Sequence, residues 1–389
     1  MAPTIFVCHD TGNTNVLLNT ARSMLEKNPD ADIKFFVIGE AANKIFSNAA
    51  NSHFADKVIR LTDYVNEKDF SKINLRPLNE DELASVLSNL QQLKPGAVIT
   101  GCSCGPQALA PFQIAELLTK LPEVEVNIIY NGDFFQDMVN NPFWTSLTQD
   151  WIEKVALYLA LADAVDQALA VNRAVKCVLA GSTALDNVME ATPAEGLVEN
   201  VRNALGIQER QELVFISGSK FIKDDLKLLE ALSDCLKKYP DTAVRMGMHP
   251  GTSDVADYVD QMARWLDERK IANLRLVVRP DVAAKIPEDL KRNAIVASLS
   301  GDDIFWAASS VASALPSTLP SQAIMRQKPA FCLEEYKLSS YLHGSYASNP
   351  ELLFAARPAQ GKLDRTKIGL PERKTVEIIS EGLTAGRRR

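Results

Sequence analysis

The chain has 389 residues, of which 46% are hydrophobic and 23% charged, and its formal net charge is −7. This composition is typical of a soluble globular protein, the length favours two domains over one core, and the acidic balance argues against nucleic acid as a partner. No apolar run is long enough to cross a bilayer and the N-terminal residues lack the layout of a signal peptide, so we expect a cytoplasmic protein.

The six cysteines lie mainly in apolar runs or helical patterns, which is typical of reduced cysteine rather than of a disulfide framework. Cys102 and Cys104 form a C-x-C pair, a poor match to the C-x-x-C spacing of redox or zinc sites. The sequence also has no H-E-x-x-H motif, no G-x-G-x-x-G fingerprint and no dense carboxylate cluster. We therefore expect neither a bound metal nor a dinucleotide cofactor.

The first half alternates short apolar runs with helical patterns. We predict strands at four of these runs: 4–8, 32–39, 97–100 and 126–130. A helical pattern with Trp151, Val155 and Leu159 on one face covers about 147–162, and another apolar run spans 165–171. Strands that alternate with helices indicate crossover connections and a parallel sheet, in which ligands collect at the carboxyl ends of the strands.

Residues 183–210 break this rhythm, because the segment is polar, helical in parts and without a strand, and we interpret it as a domain linker. The pattern then restarts, with strands predicted at four further runs: 213–216, 244–248, 274–278 and 329–333. We expect an N-terminal Rossmann-like domain over 1–182 and a C-terminal one over 211–335. The tail, 336–389, has a helical pattern near 375–383, and its return to the first domain stays open.

One turn of the second half combines a histidine with a helix start. His249 and Pro250 follow a strand, and Thr252 or Ser253 is the natural N-cap of the next helix. Such a helix start offers free N–H groups, and the imidazole can donate to a phosphate oxygen, so we predict a ligand contact at His249. A histidine that only caps the turn is the alternative, and Asp254 argues against an anion at this helix's own terminus.

Two further turns carry small hydroxyl residues. Ser317 and Thr318 open a short helix, and their hydroxyls with the exposed N–H groups would form a diphosphate cradle, although a plain N-cap is the alternative. An earlier strand-end turn joins two serines, a glycine and a lysine: Ser217, Gly218, Ser219 and Lys220. Glycine allows a close backbone approach and lysine offsets phosphate charge, but the spacing is not that of a P-loop and a solvated turn explains it equally well.

The order and spacing of short motifs narrow the choice of family. The motifs are the 217–219 turn, His249-Pro250, Asp302-Asp303, Ser317-Thr318 with Gln322-Ala323, and Lys328-Pro329. Over roughly residues 4–335 the chain resembles GT-B glycosyltransferases and their relatives, the UDP-N-acetylglucosamine 2-epimerases. Many of these proteins read S-T-x-x-x-E-A and then G-K-P, with the glutamate on the nucleotide ribose. Gln322 stands in the glutamate's place here, so its amide can hydrogen-bond a hydroxyl but brings no charge.

The resemblance implies an α/β fold of GT-B type, in which two Rossmann-like domains face each other across a cleft. The second domain would hold a nucleotide-sugar through these residues: Ser217, Gly218, Ser219, Lys220, His249, Ser317, Thr318 and Gln322. The first domain would hold the acceptor and supply a base for its hydroxyl, with strand-end residues His9 and Asp10 as first choices and Asp133 as a rival. Gly12 and Asn13 fit a tight loop and helix start beside them.

An aromatic-rich stretch could line an acceptor groove, although core positions are the favoured interpretation. Its members are Tyr130, Phe134, Phe135, Phe143 and Trp144.

We therefore expect a metal-independent glycosyltransferase with a nucleotide-sugar as co-substrate. A nucleotide-sugar 2-epimerase is one alternative, although it needs several acids around the sugar and the second half shows few at strand ends. A non-catalytic binding scaffold is another. The sequence leaves the nucleotide, the sugar, the acceptor and the oligomeric state open, a homo-oligomer included.

Overall fold

The computed structural model describes residues 2–70, 76–101, 109–132, 153–171, 173–249, 252, 254–334, 349–355 and 369–385. The chain divides into two compact units: the first comprises Met1–Asp186 and Arg365–Arg389, and the second comprises Asn187–Asp364. The chain thus leaves the first unit once and returns to it at its C-terminal end. None of the helices in these described ranges is both long and apolar enough to span a membrane.

The first unit is built on a seven-stranded sheet with the order β3-β2-β1-β4-β5-β6-β7. All neighbouring strands pair in parallel. The strands are β1 Thr4–Cys8, β2 Ile33–Val37, β3 Val58–Arg60, β4 Ala97–Gly101, β5 Val126–Asn131, β6 Ala156–Leu159 and β7 Lys176–Leu179. Strands β1 and β4 are buried along their whole length because helices cover both faces of a parallel sheet, which is why they read as continuous apolar runs.

The second unit is built on a six-stranded parallel sheet with the order β11-β10-β9-β8-β12-β13. Its strands are β8 Leu213–Ser217, β9 Ala243–Gly247, β10 Leu274–Val278, β11 Ala294–Val296, β12 Ser310–Ser313 and β13 Ala330–Cys332. Two apolar clusters pack against the two faces of this sheet, one around Val244 and Met246 and one around Phe215 and Val277. The pattern of two parallel α/β sheets confirms the predicted pair of Rossmann-like domains.

The helices are α1 Thr11–Lys27, α2 Glu40–Phe46, α3 Glu80–Leu93, α4 Leu109–Leu118, α5 Ala162–Val171, α6 Thr183–Glu190, α7 Leu197–Ala204, α8 Ile222–Lys238, α9 Val255–Arg269, α10 Pro280–Ala283, α11 Gly301–Ala307, α12 Thr318–Met325 and α13 Thr375–Ala385. One face of α9 is apolar and buried, with Tyr258, Val259, Met262 and Leu266 on it. The tail helix near 375–383 is confirmed as α13, which packs against α1.

Two predictions for the end of the first half are wrong. The helical pattern over 147–162 contains strand β6, and the apolar run 165–171 belongs to helix α5. Val155 and Leu159 are both buried at a spacing of four, which imitates a helix face. A strand buried on both faces produces the same pattern, because every one of its positions is apolar.

The segment 183–210 differs from a plain linker. It contains helices α6 and α7, and Val201 and Leu205 are fully buried in the core of the second unit. The division between units falls at Asp186, inside α6. Asp186 accepts hydrogen bonds from the backbone N–H and the hydroxyl of Thr375, at 2.7 and 2.6 Å. The first unit consists of two chain segments, and this buried contact joins the end of the first segment to the start of α13 in the second.

Candidate functional site

The second sheet reverses its strand order between β8 and β12, the point at which parallel α/β sheets place their ligands. Ser217 ends β8 and Ser317 lies four residues beyond the end of β12, as the N-cap residue of α12. Their hydroxyl oxygens lie 3.4 Å apart. Two residues singled out separately in the sequence therefore lie together at this reversal point.

A cavity of about 790 Å³ opens beside these residues at the carboxyl ends of β8 to β11. Its size falls within the range of small-molecule sites, roughly 300–1,000 Å³. Ser217, Gly218 and His249 line it, together with Leu319 in the first turn of α12. Its other side is formed by residues 277–282 and 298–304, the segments that follow β10 and lead into α11.

Helix α12 differs from the four helices that follow β8 to β11. The first turns of α8, α9, α10 and α11 each contain an aspartate, whereas the first turn of α12 contains no acid. The Ser317 side chain makes no capping hydrogen bond either. The first N–H groups of α12 lie at the positive end of the helix dipole and receive no hydrogen bond acceptor from a capping side chain. They are therefore suited to an anion from outside the helix.

His249 lies just beyond β9 and is half-buried. Burial lowers its pKa below the usual 6.5, and the positive charge of Lys220 lowers it further. The ring is therefore neutral at pH 7. A neutral imidazole donates through one nitrogen and accepts through the other, so His249 can bind a phosphate or a ribose hydroxyl.

The cap of the helix after His249 differs from the prediction. The N-cap of α9 is Asp254, whose carboxylate accepts from the N–H of Asp257 at 3.0 Å, and not Thr252 or Ser253. Pro250, Gly251 and Ser253 lie outside the described residues. Because α9 satisfies its own N-terminus, an anion near His249 would depend on the side chain rather than on this helix end.

Gly218 holds β8 close to β9. Its N–H donates to the carbonyl of Gly247 at 3.0 Å, and a Cβ at this position would lie 2.5 Å from that same oxygen. Only glycine fits such a close approach of two backbones. The residue therefore has a packing role, and it also lines the cavity.

Ser219 is fixed by a buried carboxylate that the sequence analysis missed. The Ser219 N–H donates to both oxygens of Asp225, at 3.0 and 2.9 Å, and its hydroxyl donates to the carbonyl of Phe221. The Tyr258 hydroxyl donates to Asp225 at 2.5 Å. Burial raises the pKa of Asp225 to about 6, against the effect of these hydrogen bonds. These bonds give Ser219 a structural role in shaping the turn.

The remaining predicted residues of the second unit are not among the described residues that line the cavity. Lys220 and Thr318 are exposed, and Lys220 acts on the site through its charge. Gln322 is buried within α12, at 7% exposure. Its contact with a nucleotide ribose stays a prediction.

Lys328, part of the K-P motif, caps a helix that lines the cavity. Its ammonium donates to the carbonyls of Phe305 and Ala308, both at 2.7 Å, at the C-terminal end of α11. A cation at this end of a helix satisfies carbonyls that have no partner within the helix and opposes the helix dipole. The motif therefore has a structural reason in this chain, which the sequence did not reveal.

In the first unit, the corresponding reversal of strand order lies between β1 and β4. His9 follows β1 and is 8% exposed, and neither ring nitrogen has a hydrogen-bond partner among the residues that the structure describes. Burial lowers the pKa of His9 below 6.5, although the charge of Asp10 opposes the shift. A buried neutral imidazole at a strand end is suited to accept a proton.

Asp10 is the N-cap of α1, so this helix starts at Thr11, earlier than the loop predicted at Gly12 and Asn13. The two carboxylate oxygens of Asp10 accept from the backbone N–H and the side-chain amide of Asn13, each at 2.8 Å. Asn13 in turn accepts from the N–H of Gly132, which links α1 to the end of β5.

Several predictions fall outside the residues that the structure describes: Asp133, Phe134, Phe135, Phe143, Trp144, Cys102 and Cys104. Of the aromatic-rich stretch, Tyr130 is fully buried, and its hydroxyl donates to the carbonyl of Gly181 at 3.0 Å. Tyr130 is therefore a core residue, as favoured by the sequence. The described cysteines Cys8, Cys177, Cys235 and Cys332 form no disulfide.

Comparison with known proteins shows the fold. A UDP-GlcNAc 2-epimerase from Methanocaldococcus jannaschii superposes with a TM-score of 0.57 at 12% identity, covering 97% of this chain and 98% of that one. A glycosyltransferase from Rickettsia africae gives 0.55 at 13% identity, covering 99% and 93%. HepE from Anabaena, in complex with UDP and glucose, gives 0.54 at 11% identity, covering 100% and 95%.

These similarities extend over nearly the whole of each chain, and they confirm the GT-B type of fold with two Rossmann-like domains. No family model matches the sequence, and neither does any curated protein. The fold is thus shared with both glycosyltransferases and 2-epimerases.

Proposed function

We propose that the protein is a glycosyltransferase that moves a sugar from a nucleotide-sugar donor to an acceptor without a metal ion. The observation that carries this proposal is the convergence of Ser217, Ser317 and the uncapped start of α12 beside a cavity of about 790 Å³. The fold supports it, because nucleotide-sugar enzymes of both neighbouring classes share it.

The donor would bind through its diphosphate and its nucleoside. The N–H groups at the start of α12, with the hydroxyls of Ser317 and Thr318, would bind the diphosphate and stabilise the negative charge of the leaving nucleotide. Ser217 and His249 would contact the phosphate or the ribose from the carboxyl ends of the neighbouring strands β8 and β9. Lys220 adds positive charge near His249. In this arrangement helix N–H groups and a lysine supply the stabilisation of the leaving group.

The first unit would bind the acceptor and supply the base that takes the proton from its hydroxyl. His9 is favoured over Asp10, because its ring is neutral at pH 7 and its nitrogens make no hydrogen bonds within the described part of the chain. Both oxygens of Asp10 already accept hydrogen bonds from Asn13 as part of a helix cap, so they are engaged in local structure. Asp133 remains the rival candidate.

One observation favours a 2-epimerase instead. Three carboxylates line the cavity of the second unit, at Asp281, Asp302 and Asp303, and an epimerase needs acids around the sugar. Asp281 pairs with Arg279 at 3.0 Å, and Asp303 belongs to the capping box of α11. These two carboxylates therefore serve local structure, which leaves the transferase as the better-supported proposal.

Incubation of the full-length protein with a panel of nucleotide-sugars tests the proposal, with the products followed by mass spectrometry and by NMR, since a 2-epimer has the same mass as its parent. We expect slow release of free nucleoside diphosphate without acceptor, and a glycosylated product when candidate acceptors that carry hydroxyl groups are added. Conversion of UDP-N-acetylglucosamine to its 2-epimer without acceptor would establish the alternative. Tight nucleotide binding without any turnover would instead indicate a non-catalytic scaffold.

A further inference from the structure

A second cavity of the C-terminal unit lies apart from the candidate donor site. It has a volume of about 520 Å³ and is formed by the end of α7 with the turn after it, residues 203–206, and by the first halves of β9 and β10. The donor cavity lies at the carboxyl ends of the same strands, from Gly247 and Val277 onward. No residue lines both cavities in the described ranges.

Two arginines dominate the chemistry of this second cavity. Arg245 and Arg275 both line it, and they occupy paired positions in the neighbouring strands β9 and β10. Paired positions in a sheet lie about 4.8 Å apart and project side chains to the same face. Like charges at this spacing repel each other, so the pair destabilises the sheet unless an anion compensates it.

Arg245 is buried, at 7% exposure, and its guanidinium is held by neutral groups. Nε and Nη2 each donate to the carbonyl of Leu205 at 3.1 Å, and Nη1 donates to the carbonyls of Val244 and Asn273 at 2.9 and 3.3 Å. These bonds cap the end of α7 and fix the cation in place. None of the acceptors carries a charge.

Within the described part of the chain, neither arginine forms an ion pair, and the lining contains no acidic residue. Burial and the charge of Arg275 lower the pKa of Arg245 to about 10, so the Arg245 guanidinium stays positive at pH 7. A buried positive charge without a counterion is costly, and a bound anion would remove that cost.

We propose that this cavity binds a dianionic phosphate group, carried by a small phosphorylated molecule. Two adjacent guanidinium groups match the charge of a phosphate monoester better than that of a single carboxylate, and guanidinium geometry suits phosphate oxygens. The exposed Arg275 supplies the guanidinium that contacts the phosphate oxygens, and the fixed Arg245 supplies positive charge at the base of the cavity. The remaining volume accommodates the organic part of a small metabolite.

Calorimetry and thermal-shift titrations of the full-length protein test this proposal. The probes are inorganic phosphate and glucose 6-phosphate, which distinguish a free phosphate site from one that also takes an organic group. We expect saturable binding of at least one probe, a raised melting temperature and weaker binding at higher salt. Arg275→Gln should weaken that binding at least tenfold, whereas Arg264→Gln, an equal charge change on the exposed face of α9, should not.

Two outcomes would overturn the proposal. One is the absence of binding by either probe to the wild-type protein at millimolar concentration. The other is equal binding by the wild type and Arg275→Gln together with loss of binding in His249→Ala, which would place the phosphate in the donor cavity instead. UDP binding is also measured in the same variants. A loss of UDP binding at the donor cavity is therefore distinguishable from a loss of phosphate binding at this second cavity.

Discussion

The hydroxyl oxygens of Ser217 and Ser317 lie 3.4 Å apart although the residues are 100 positions apart in the chain. Strand β8 pairs directly with β12, and this pairing brings the ends of both strands to one point on the sheet edge. The helix that starts at Ser317 has neither an acid nor a side-chain cap in its first turn. The two serines therefore mark the position at which we propose that the diphosphate of the nucleotide binds.

Replacing either serine should weaken nucleotide binding without unfolding the protein. We expect Ser217→Ala and Ser317→Ala each to reduce the affinity for a nucleoside diphosphate about tenfold, on the order of 1.5 kcal/mol, because each removes a hydrogen bond to a charged group. Calorimetry measures the affinity. Ser309→Ala is the matched control: its hydroxyl donates to the carbonyl of Leu213, so it should lower stability and leave binding unchanged.

Two glycine substitutions should have opposite effects on stability. Gly218→Ala places a methyl group against the carbonyl of Gly247 and should lower the free energy of unfolding by about 2 kcal/mol. Gly12→Ala lies exposed in the first turn of α1 with room for the methyl group, and should raise that free energy by about 0.5 to 1 kcal/mol. Urea denaturation measures both. Equal effects would contradict the geometry described for Gly218.

Asp225 should make the stability of the protein depend on pH. Its pKa is about 6 in the folded protein and ordinarily 3.8, so between these values the folded state holds a proton that the unfolded chain has released. Stability from this group is therefore present below about pH 4 and is lost as the pH rises through 6, by about 3 kcal/mol. Asp225→Asn should remove this slope.

Urea titrations at several pH values between 4 and 7 check the role of Asp225. Asp260→Asn is the control, because Asp260 lies at the surface of α9 and pairs with Arg264. Parallel pH profiles for the wild type and Asp225→Asn would show that the buried carboxylate has no such effect.

Lys220 should control the protonation of His249. Its charge helps to lower the pKa of the imidazole, so Lys220→Gln should raise that pKa. NMR titration of the four histidines in the chain measures the change. Lys227→Gln, an exposed lysine of α8, should leave the signal of His249 unchanged. An unaltered His249 titration in Lys220→Gln would show that the two side chains do not interact.

A kinetic assay of sugar transfer should distinguish His9 from Asp10 as the base. We expect His9→Gln to lower kcat at least about 100-fold with little change in the KM for the donor, because it removes the proton acceptor but no donor contact. Asp10→Asn keeps an oxygen that can accept from the N–H of Asn13, and it should cost far less. The reverse order of effects would make Asp10 the base.

The fold could be predicted from the sequence because the parallel strands are short apolar runs that end at polar turns. Strand β6 was missed, since burial on both faces gives Val155 and Leu159 a spacing that also fits a helix. Strand β12, for which no strand was predicted, ends at Ser313, four residues before the N-cap residue Ser317 of α12.

The site was only partly predictable. Hydroxyls and a histidine at strand ends could be found by pattern, since parallel strands end at one edge of a sheet. The hydrogen bond from Tyr258 to Asp225 joins two helices across 33 positions, and no local pattern indicates it. The same holds for Lys328, whose three-dimensional neighbours at the end of α11 decide its role.

Calorimetric titration of the full-length protein with UDP, GDP, CMP and TDP tests the central claim most directly. We expect at least one nucleotide to bind with one-to-one stoichiometry, and Ser317→Ala and His249→Ala each to weaken the binding about tenfold or more. Absence of binding across all four nucleotides, or binding that both variants leave unchanged, would contradict it.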